Sequence, residues 1–208
     1  MAQKTDGLRA ILSHPVFYDA LQTVLGARRG RSRMMADYIK PKANDRVLDI
    51  GCGTGELFPY FPAGVTYVGF DLSPDYIEAA RKRYGSRARF ECMDVAEFED
   101  EQLIQDGVDL VVAIGILHHL DDDQSRALFD TAFSMLKPGG RFISMDGTLI
   151  PDQSRIARSL ILRDRGQNIR EPEEYASLAS HSFANVRHQI RHDLIFVPYT
   201  HCILECTR

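Results

Sequence analysis

An α/β chain built on a doubly wound, mostly parallel sheet is what this sequence predicts, on three features. Short apolar segments alternate with amphipathic helical ones from Val47 to Met145. One segment, Val108–Ala113, is apolar apart from Asp109, as a central parallel strand covered on both faces requires. The first segment, Val47–Ile50, runs directly into the glycine-rich turn Gly51-Cys52-Gly53-Thr54-Gly55.

The elements follow in order. Val16–Leu25 and Ser32–Ile39 carry apolar residues at helical spacing and read as two short helices, closed by Pro41 and the polar stretch Lys42–Arg46. Val47–Ile50 is strand one, with a helix beginning near Gly55. Val65–Phe70 is strand two. The helix after it has Ser73 as N-cap, Pro74 at its first position and Gly85 just past its end. Ala88–Cys92 is strand three, and a short acidic helical stretch surrounds Glu99–Gln105. Val108–Ala113 is strand four. A helix spans about Asp122–Leu136, with Asp121–Asp123 at its positive end and Leu128, Phe129, Ala132, Phe133 and Leu136 in one apolar stripe. Lys137-Pro138-Gly139-Gly140 breaks it before strand five, Arg141–Met145. Beyond Gly147 the rhythm changes: Ser154–Arg163 reads as an extra helix, Asp164–Arg170 as a polar loop, and Pro172 opens another helix. Val186–Ile190 and Tyr199–Thr207 would form a final antiparallel pair, with Pro198 in the turn or at a strand edge.

The glycine turn points to a nucleoside. A bend without side chains at Gly51, Gly53 and Gly55 lets a ligand lie against backbone N–H groups. Asp71, which ends strand two, suits the two hydroxyls of a ribose, and Asp94, which ends strand three, could accept from an adenine amino group. Two cofactors compete. A dinucleotide unit would carry G-x-G-x-x-G with an acid about 20 residues on. Here the spacing is G-x-G-x-G, and Asp49 just ahead of it would repel a pyrophosphate. S-adenosylmethionine has a ribose, an adenine, an ammonium and a sulfonium but no phosphate, so the acids favour it.

The segments Val47–Glu56 (VLDIGCGTGE), Val68–Ser73 (VGFDLS), Cys92–Val95 (CMDV), Ile114–Leu120 (IGILHHL) and Leu136–Phe142 (LKPGGRF) resemble, in order and spacing, class I S-adenosylmethionine-dependent methyltransferases. The similarity covers roughly Asn44 to Gly147. It implies a seven-stranded, mostly parallel sheet with a C-terminal antiparallel strand and helices on both faces. It also implies cofactor at the strand ends and direct in-line methyl transfer to a small molecule, leaving S-adenosylhomocysteine. On that resemblance Asp49, Gly51, Cys52, Gly53, Gly55, Asp71, Leu72, Met93, Asp94, Val95 and Gly115 would surround the cofactor. Asp49 would face the methionyl ammonium, with structural capping as its alternative. His118 and His119 would lie beside the methyl group; adjacent residues should diverge, so one at most would act as a base. Both could equally cap backbone.

The C-terminal segments would supply specificity through Arg165, Arg170, His192, Tyr199 and His201. Beyond Lys137 every basic side chain is arginine, which binds carboxylate or phosphate in a bidentate fork, so an anionic acceptor is expected. His188 and His192 are four apart but on a strand-like segment, and no metal site is expected.

At 208 residues one domain is the default: 1–43 a helical cap, 44–147 the cofactor-binding core, 148–208 the acceptor side. No secretory signal or membrane span is visible, and Cys52, Cys92, Cys202 and Cys206 have no metal-like spacing, so a reduced, cytoplasmic protein without a membrane partner is expected. The net charge of –4 divides into +5 over residues 1–46, –10 over 47–147 and +1 over 148–208. Only Arg28-Arg29-Gly30-Arg31-Ser32-Arg33 hints at nucleic acid, and a solvated helix end explains that run as well. Methylation of RNA or protein, a non-catalytic cofactor-binding module and a nicotinamide oxidoreductase remain alternatives. Oligomeric state is open.

Overall fold

A computed structural model describes residues 26–97, 106–164 and 166–208. The expected helix over 16–25, the acidic stretch over 99–105 and Arg165 lie outside the described residues. Seven strands form one sheet in the order β3-β2-β1-β4-β5-β7-β6. They are β1 (Arg46–Ile50), β2 (Thr66–Asp71), β3 (Arg89–Cys92), β4 (Val108–Ile114), β5 (Leu136–Gly147), β6 (Asn185–Arg191) and β7 (His201–Thr207). β1 to β5 pair in parallel, and β7 runs antiparallel to both β5 and β6. The expected sheet is present, and its order reverses between β1 and β4, where a doubly wound sheet opens its crevice.

Among the described residues five α-helices pack on it: α1 (Ala27–Met34), α2 (Pro74–Tyr84), α3 (Asp122–Met135), α4 (Arg155–Leu162) and α5 (Pro172–Ala179). Successive residues of β4 serve opposite faces. Val111 packs with Leu128 and Phe129 of α3 and Tyr175 and Leu178 of α5, whereas Leu110 and Val112 pack with Met34 of α1 and Ile77 and Ala80 of α2. This double burial explains the near-continuous apolar run of β4. The helix ends follow local chemistry: Ser73 caps α2, and Asp121 and Gln124 form a reciprocal capping box on α3.

Three sequence expectations shift. No α-helix begins near Gly55; the chain makes turns and a single 3₁₀ turn at Phe58–Tyr60. Pro59 and Pro62 account for this, because Pro62 forces Phe61 into the extended conformation. α1 starts at Ala27 rather than Ser32, so the arginine run is helical, and it widens into a π-turn at Met35–Ile39 ahead of Pro41. Lys137–Gly140 does not end α3: the chain is extended from Leu136, and a β-bulge opposite Val108 and Leu110 absorbs the two glycines.

Phe183, after α5, fills the space between α3 and the sheet. Its ring centroid lies 5.3 Å from Phe133, 6.0 Å from Phe142 and 6.5 Å from Phe129. Phe183→Ala should therefore cost about 3–5 kcal/mol of unfolding free energy, read as a lower denaturant midpoint at an unchanged slope.

Candidate functional site: the cleft and the histidine turn

The glycine turn is fixed first by the protein itself. The N–H groups of Gly51 and Cys52 both donate to the Phe70 carbonyl, at 2.8 and 2.9 Å, which ties β1's end to β2's. Gly51 has φ +74°, and a Cβ there would stand 2.5 Å from Ile116 Cδ1. At Gly55 a Cβ would strike Phe90 and Tyr84. Only Gly53, at φ +55°, has nothing within 4 Å of a Cβ position. This corrects the expectation that all three glycines clear space for a ligand. Gly51 and Gly55 clear space for the protein's own side chains, although Gly51 also borders the cleft, and of the three only Gly53 has no atom near its Cβ position.

Beside Gly53 stands Asp71. Its Oδ2 accepts from Gly53 N–H at 3.0 Å and its Oδ1 from Ser73 N–H at 2.8 Å. Burial raises its pKa above the usual carboxylate value, partly offset by these backbone N–H groups. Each oxygen retains a lone pair for a further donor. A cleft of about 190 Å³ opens here, lined by Gly51, Asp71, Leu72, Met93, Asp94 and Val95 from the predicted set. Its opposite wall is formed by Ile116 and Leu120 of the turn after β4 and by Leu128 and Thr131 of α3. The resemblance places the backbone near Ile116 beside the cofactor, but the sequence reading missed Leu120, Leu128 and Thr131, although the apolar stripe of α3 was visible. Asp94 is exposed, with Oδ1 accepting from Ala96 N–H at 3.0 Å.

Asp49, Cys52, Gly53, Gly55 and Gly115 do not line this cleft. Cys52 turns its thiol toward Gly69, into the apolar cluster that holds Ile77 and Ala80 of α2, and burial pushes the thiol pKa well up. Gly115 starts the turn after β4, its N–H donating to Met145 O at 2.8 Å. Asp49 is 2 % exposed and accepts a hydrogen bond from the Tyr67 hydroxyl. Burial dominates its titration and pushes its carboxyl up to about 7; the Tyr67 bond lowers it, Asp71 raises it and Arg31 lowers it. Arg31 of α1 also lies 3.5 Å from Glu56, the last residue of the glycine segment.

The second half of the site is the 3₁₀ turn Leu117–His119 beyond β4. His118 is 7 % exposed. Its Nδ1 lies 2.8 Å from Asp146 Oδ1, which also accepts from the His118 backbone N–H at 3.2 Å. Its Nε2 faces Asp164 at 3.7 Å. The expectation that the two histidines diverge is corrected: their rings lie 4.1 Å apart, tilted by 41°. Gly166 packs so closely on His118 that any side chain there would collide with the ring. Sequence reasoning missed Asp146 and Asp164. Asp146 had a visible signal, since it follows strand five as Asp71 follows strand two; Asp164 was one polar loop residue among several.

The expected acceptor residues divide. The Arg170 guanidinium is buried and committed, donating to the carbonyls of Leu117 at 3.1 Å, Leu120 at 2.8 Å and Asn168 at 3.1 Å and pairing with Asp122. It clamps the histidine turn from behind. Tyr199 donates to Asp164 Oδ2 at 2.8 Å, and its ring lies 4.8 Å from that of His201. His201 is 6 % exposed, and burial lowers it to about 4, so it is neutral at pH 7. His201 Nδ1 and Asp146 Oδ2 are buried polar atoms with no hydrogen-bond partner among the described residues. His192 is exposed, 3.3 Å from the Thr200 hydroxyl.

Fold and site thus define a nucleoside-cleft α/β protein with a histidine–carboxylate pair at the carboxyl edge of the sheet. Residues 47–140 match the family model of the methyltransferase domain. Over 141 residues the chain is 31 % identical to the ubiquinone/menaquinone biosynthesis C-methyltransferase of Geotalea daltonii, covering 62 % of this chain and 57 % of that protein. It is 25 % identical over 149 residues to phosphoethanolamine N-methyltransferase 1 of Triticum aestivum, covering 71 % of this chain and 30 % of the relative. The fold superposes on human N-acetylserotonin methyltransferase with a TM-score of 0.68 at 19 % identity, covering 99 % of this chain and 60 % of that one. Over that domain the sequence is similar to S-adenosylmethionine-dependent methyltransferases, and the fold is one they share. The chain spans little more than half of the first of these relatives and under a third of the second.

The raised Asp49 carboxyl sets a pH dependence. Between the ordinary value of 3.8 and about 7 the folded protein keeps a proton that the unfolded chain releases. Its contribution to stability therefore falls as pH rises through that window and is constant above it. Asp49→Asn should gain stability relative to the parent chain from pH 4 to 7, by up to roughly 4 kcal/mol, measured by denaturant titration at each pH.

Proposed function

We propose that this chain transfers the sulfonium methyl group of S-adenosylmethionine to a small-molecule acceptor. The observation that carries the reading is Asp71, pinned by two backbone N–H groups beside the open surface at Gly53. The cofactor supplies a methyl group already activated by its positive sulfur, so the protein's task is alignment and exclusion of water. Asp71 would accept from both ribose hydroxyls, and the exposed Asp94 from the adenine amino group. Leu72, Met93 and Val95 would flank the ring from one wall, with Ile116 and Leu128 closing the other. Asp49 would balance the methionyl ammonium, and Arg31, on the same side of the glycine segment, the methionyl carboxylate.

His118 is the better base of the histidine pair. Asp146 accepts at Nδ1 and so fixes the tautomer that leaves Nε2 as the proton acceptor. His119 would wall the same space. Tyr199, His201 and His192 would approach the acceptor from the β6–β7 side. The anionic acceptor expected from arginine gains nothing from Arg170, whose donors are spent within the fold. Asp146 and Asp164 beside His118 favour instead an acceptor that brings a proton to give up, a hydroxyl or an amine. No helix among the described residues is long and apolar enough to cross a membrane.

Two measurements test this. Calorimetry of Asp71→Ala should show S-adenosylmethionine affinity weakened by roughly 30- to 100-fold, the loss of charge-assisted bonds to two hydroxyls; an unchanged affinity refutes the ribose assignment. His118→Gln should lower kcat by about 10²- to 10⁴-fold while leaving cofactor affinity within a factor of two or so, which separates a base from a packing residue.

A further inference from the structure

Five large apolar side chains are exposed among the described residues: Leu72 at 45 %, Ile156 at 62 %, Leu160 at 37 %, Leu162 at 61 % and Phe196 at 65 %. All five lie on segments that leave the carboxyl ends of strands. Leu72 follows β2, α4 follows β5, and Phe196 lies in the loop after β6, which runs in the same direction as β5 because both oppose β7. Leu72 lines the cleft itself; three of the other four share the single helix α4, and Phe196 lies after β6.

The α4 stretch of this carboxyl edge is locally cationic, whereas the turns after β2, β3 and β4 expose Asp75, Asp94, Glu97 and Asp121–Asp123. α4 buries Ala157 and Ile161 against the body of the protein. By helical spacing its outward arc interleaves Leu162, Arg155, Arg163 and Ile156, all of them exposed. Only Asp152 opposes this charge on the segment leading into the helix. Phe196 has the Arg29 guanidinium of α1 5.9 Å from its ring centroid, and Arg28 beside it is also exposed.

We propose that the exposed face of α4, with its three arginines and three aliphatic side chains, docks on an anionic phospholipid surface and brings this edge of the sheet near an acceptor of amphiphilic character. The acceptor part rests on the methyl-transfer reading above; the docking does not. Isolated aliphatic side chains separated by arginines offer no groove to a folded partner. They suit a fluid interface, where apolar tips enter the acyl boundary without shape complementarity and guanidiniums reach lipid phosphates. Such a surface is compatible with the absence of a membrane span among the described residues, because this face lies on the bilayer and does not cross it.

Flotation with two vesicle preparations tests the proposal: phosphatidylcholine alone, and equal parts phosphatidylcholine and phosphatidylglycerol. The protein should float with the mixed vesicles, remain behind with phosphatidylcholine alone, and be released by high salt. The double variants Ile156→Ser/Leu162→Ser and Arg155→Glu/Arg158→Glu should each reduce partitioning by roughly tenfold or more, since each reversed charge and each lost apolar tip weakens binding several-fold. All four positions are exposed, so melting temperatures should be unchanged. Failure of the parent protein to float with mixed vesicles, or equal flotation of both variants, overturns the proposal. So does a vesicle-free dimer that the Ser variants abolish in sedimentation velocity, because a second copy would then be what covers this face. Cofactor calorimetry on the same samples separates the readings: intact cofactor binding without flotation refutes the docking alone.

Discussion

Gly51 and Ile116 meet where the strand order reverses, and the arrangement of the whole carboxyl edge depends on that contact. The turn after β1 can approach the turn after β4 only because position 51 has no side chain and sits at φ +74°. Closing the two turns together gives the cleft its floor and carries the Leu117–His119 turn to its place above β5. Arg170 then holds that turn from the far side through the carbonyls of Leu117 and Leu120, so His118 is braced between its own strand and the loop ahead of α5. A buried guanidinium unable to satisfy its donors would be costly, and this one meets the carbonyls of Leu117, Leu120 and Asn168 and the Asp122 carboxylate.

Carboxylates at strand ends are the second organising device. Asp71 and Asp146 each end a parallel strand or stand next to its last residue, and each accepts a backbone N–H from the following turn of a neighbouring strand: Gly53 for Asp71, His118 for Asp146. The same anion thus shapes the loop and faces the space the loop encloses. Asp49 differs in kind. It lies within β1 and not beyond it, shielded by Tyr67, and burial holds much of it protonated near neutral pH. A cation arriving beside it would draw out that proton, coupling occupancy of the glycine turn to pH.

Elements with a strong local code were legible in the sequence. Val108–Ile114 was readable because both its faces are buried, and α2 because Ser73, Pro74 and Gly85 mark its ends. The acids at 71 and 94 and the apolar neighbours at 72, 93 and 95 were readable from their place after strands, and all of them line the cleft. What failed depended on tertiary contact. Nothing local distinguishes Gly53, which faces open space, from Gly55, which faces Phe90. Arg170 looked like an acceptor ligand because its partners are carbonyls some 50 residues away, which carry no sequence signature. The missing helix after Gly55 was avoidable, since Pro59 and Pro62 were in view and their effect on the backbone is local.

The arginine run shows how a charge pattern changes meaning once folded. Read linearly, 28–33 was either a patch for polyanions or a solvated helix end. α1 divides it between two functions. Arg31 and Arg33 point back into the protein, to Glu56 beside the glycine turn and to Asp193 in the β6–β7 loop, and so fasten the helix across the cofactor side of the sheet. Gly30 permits this by letting the helix approach the Leu194 carbonyl, where a Cβ would come within 3.1 Å. Arg28 and Arg29 stay outside, next to Phe196. The outward pair and the arginines of α4 make locally cationic patches on an edge whose other turns expose Asp75, Asp94, Glu97 and Asp121–Asp123, on a chain whose net charge is –4. A polyanionic rod would be met best by a continuous basic groove, whereas this edge alternates charge with exposed aliphatic and aromatic groups. That alternation, more than the sum of charge, favours a layered lipid interface over nucleic acid as the partner of this edge.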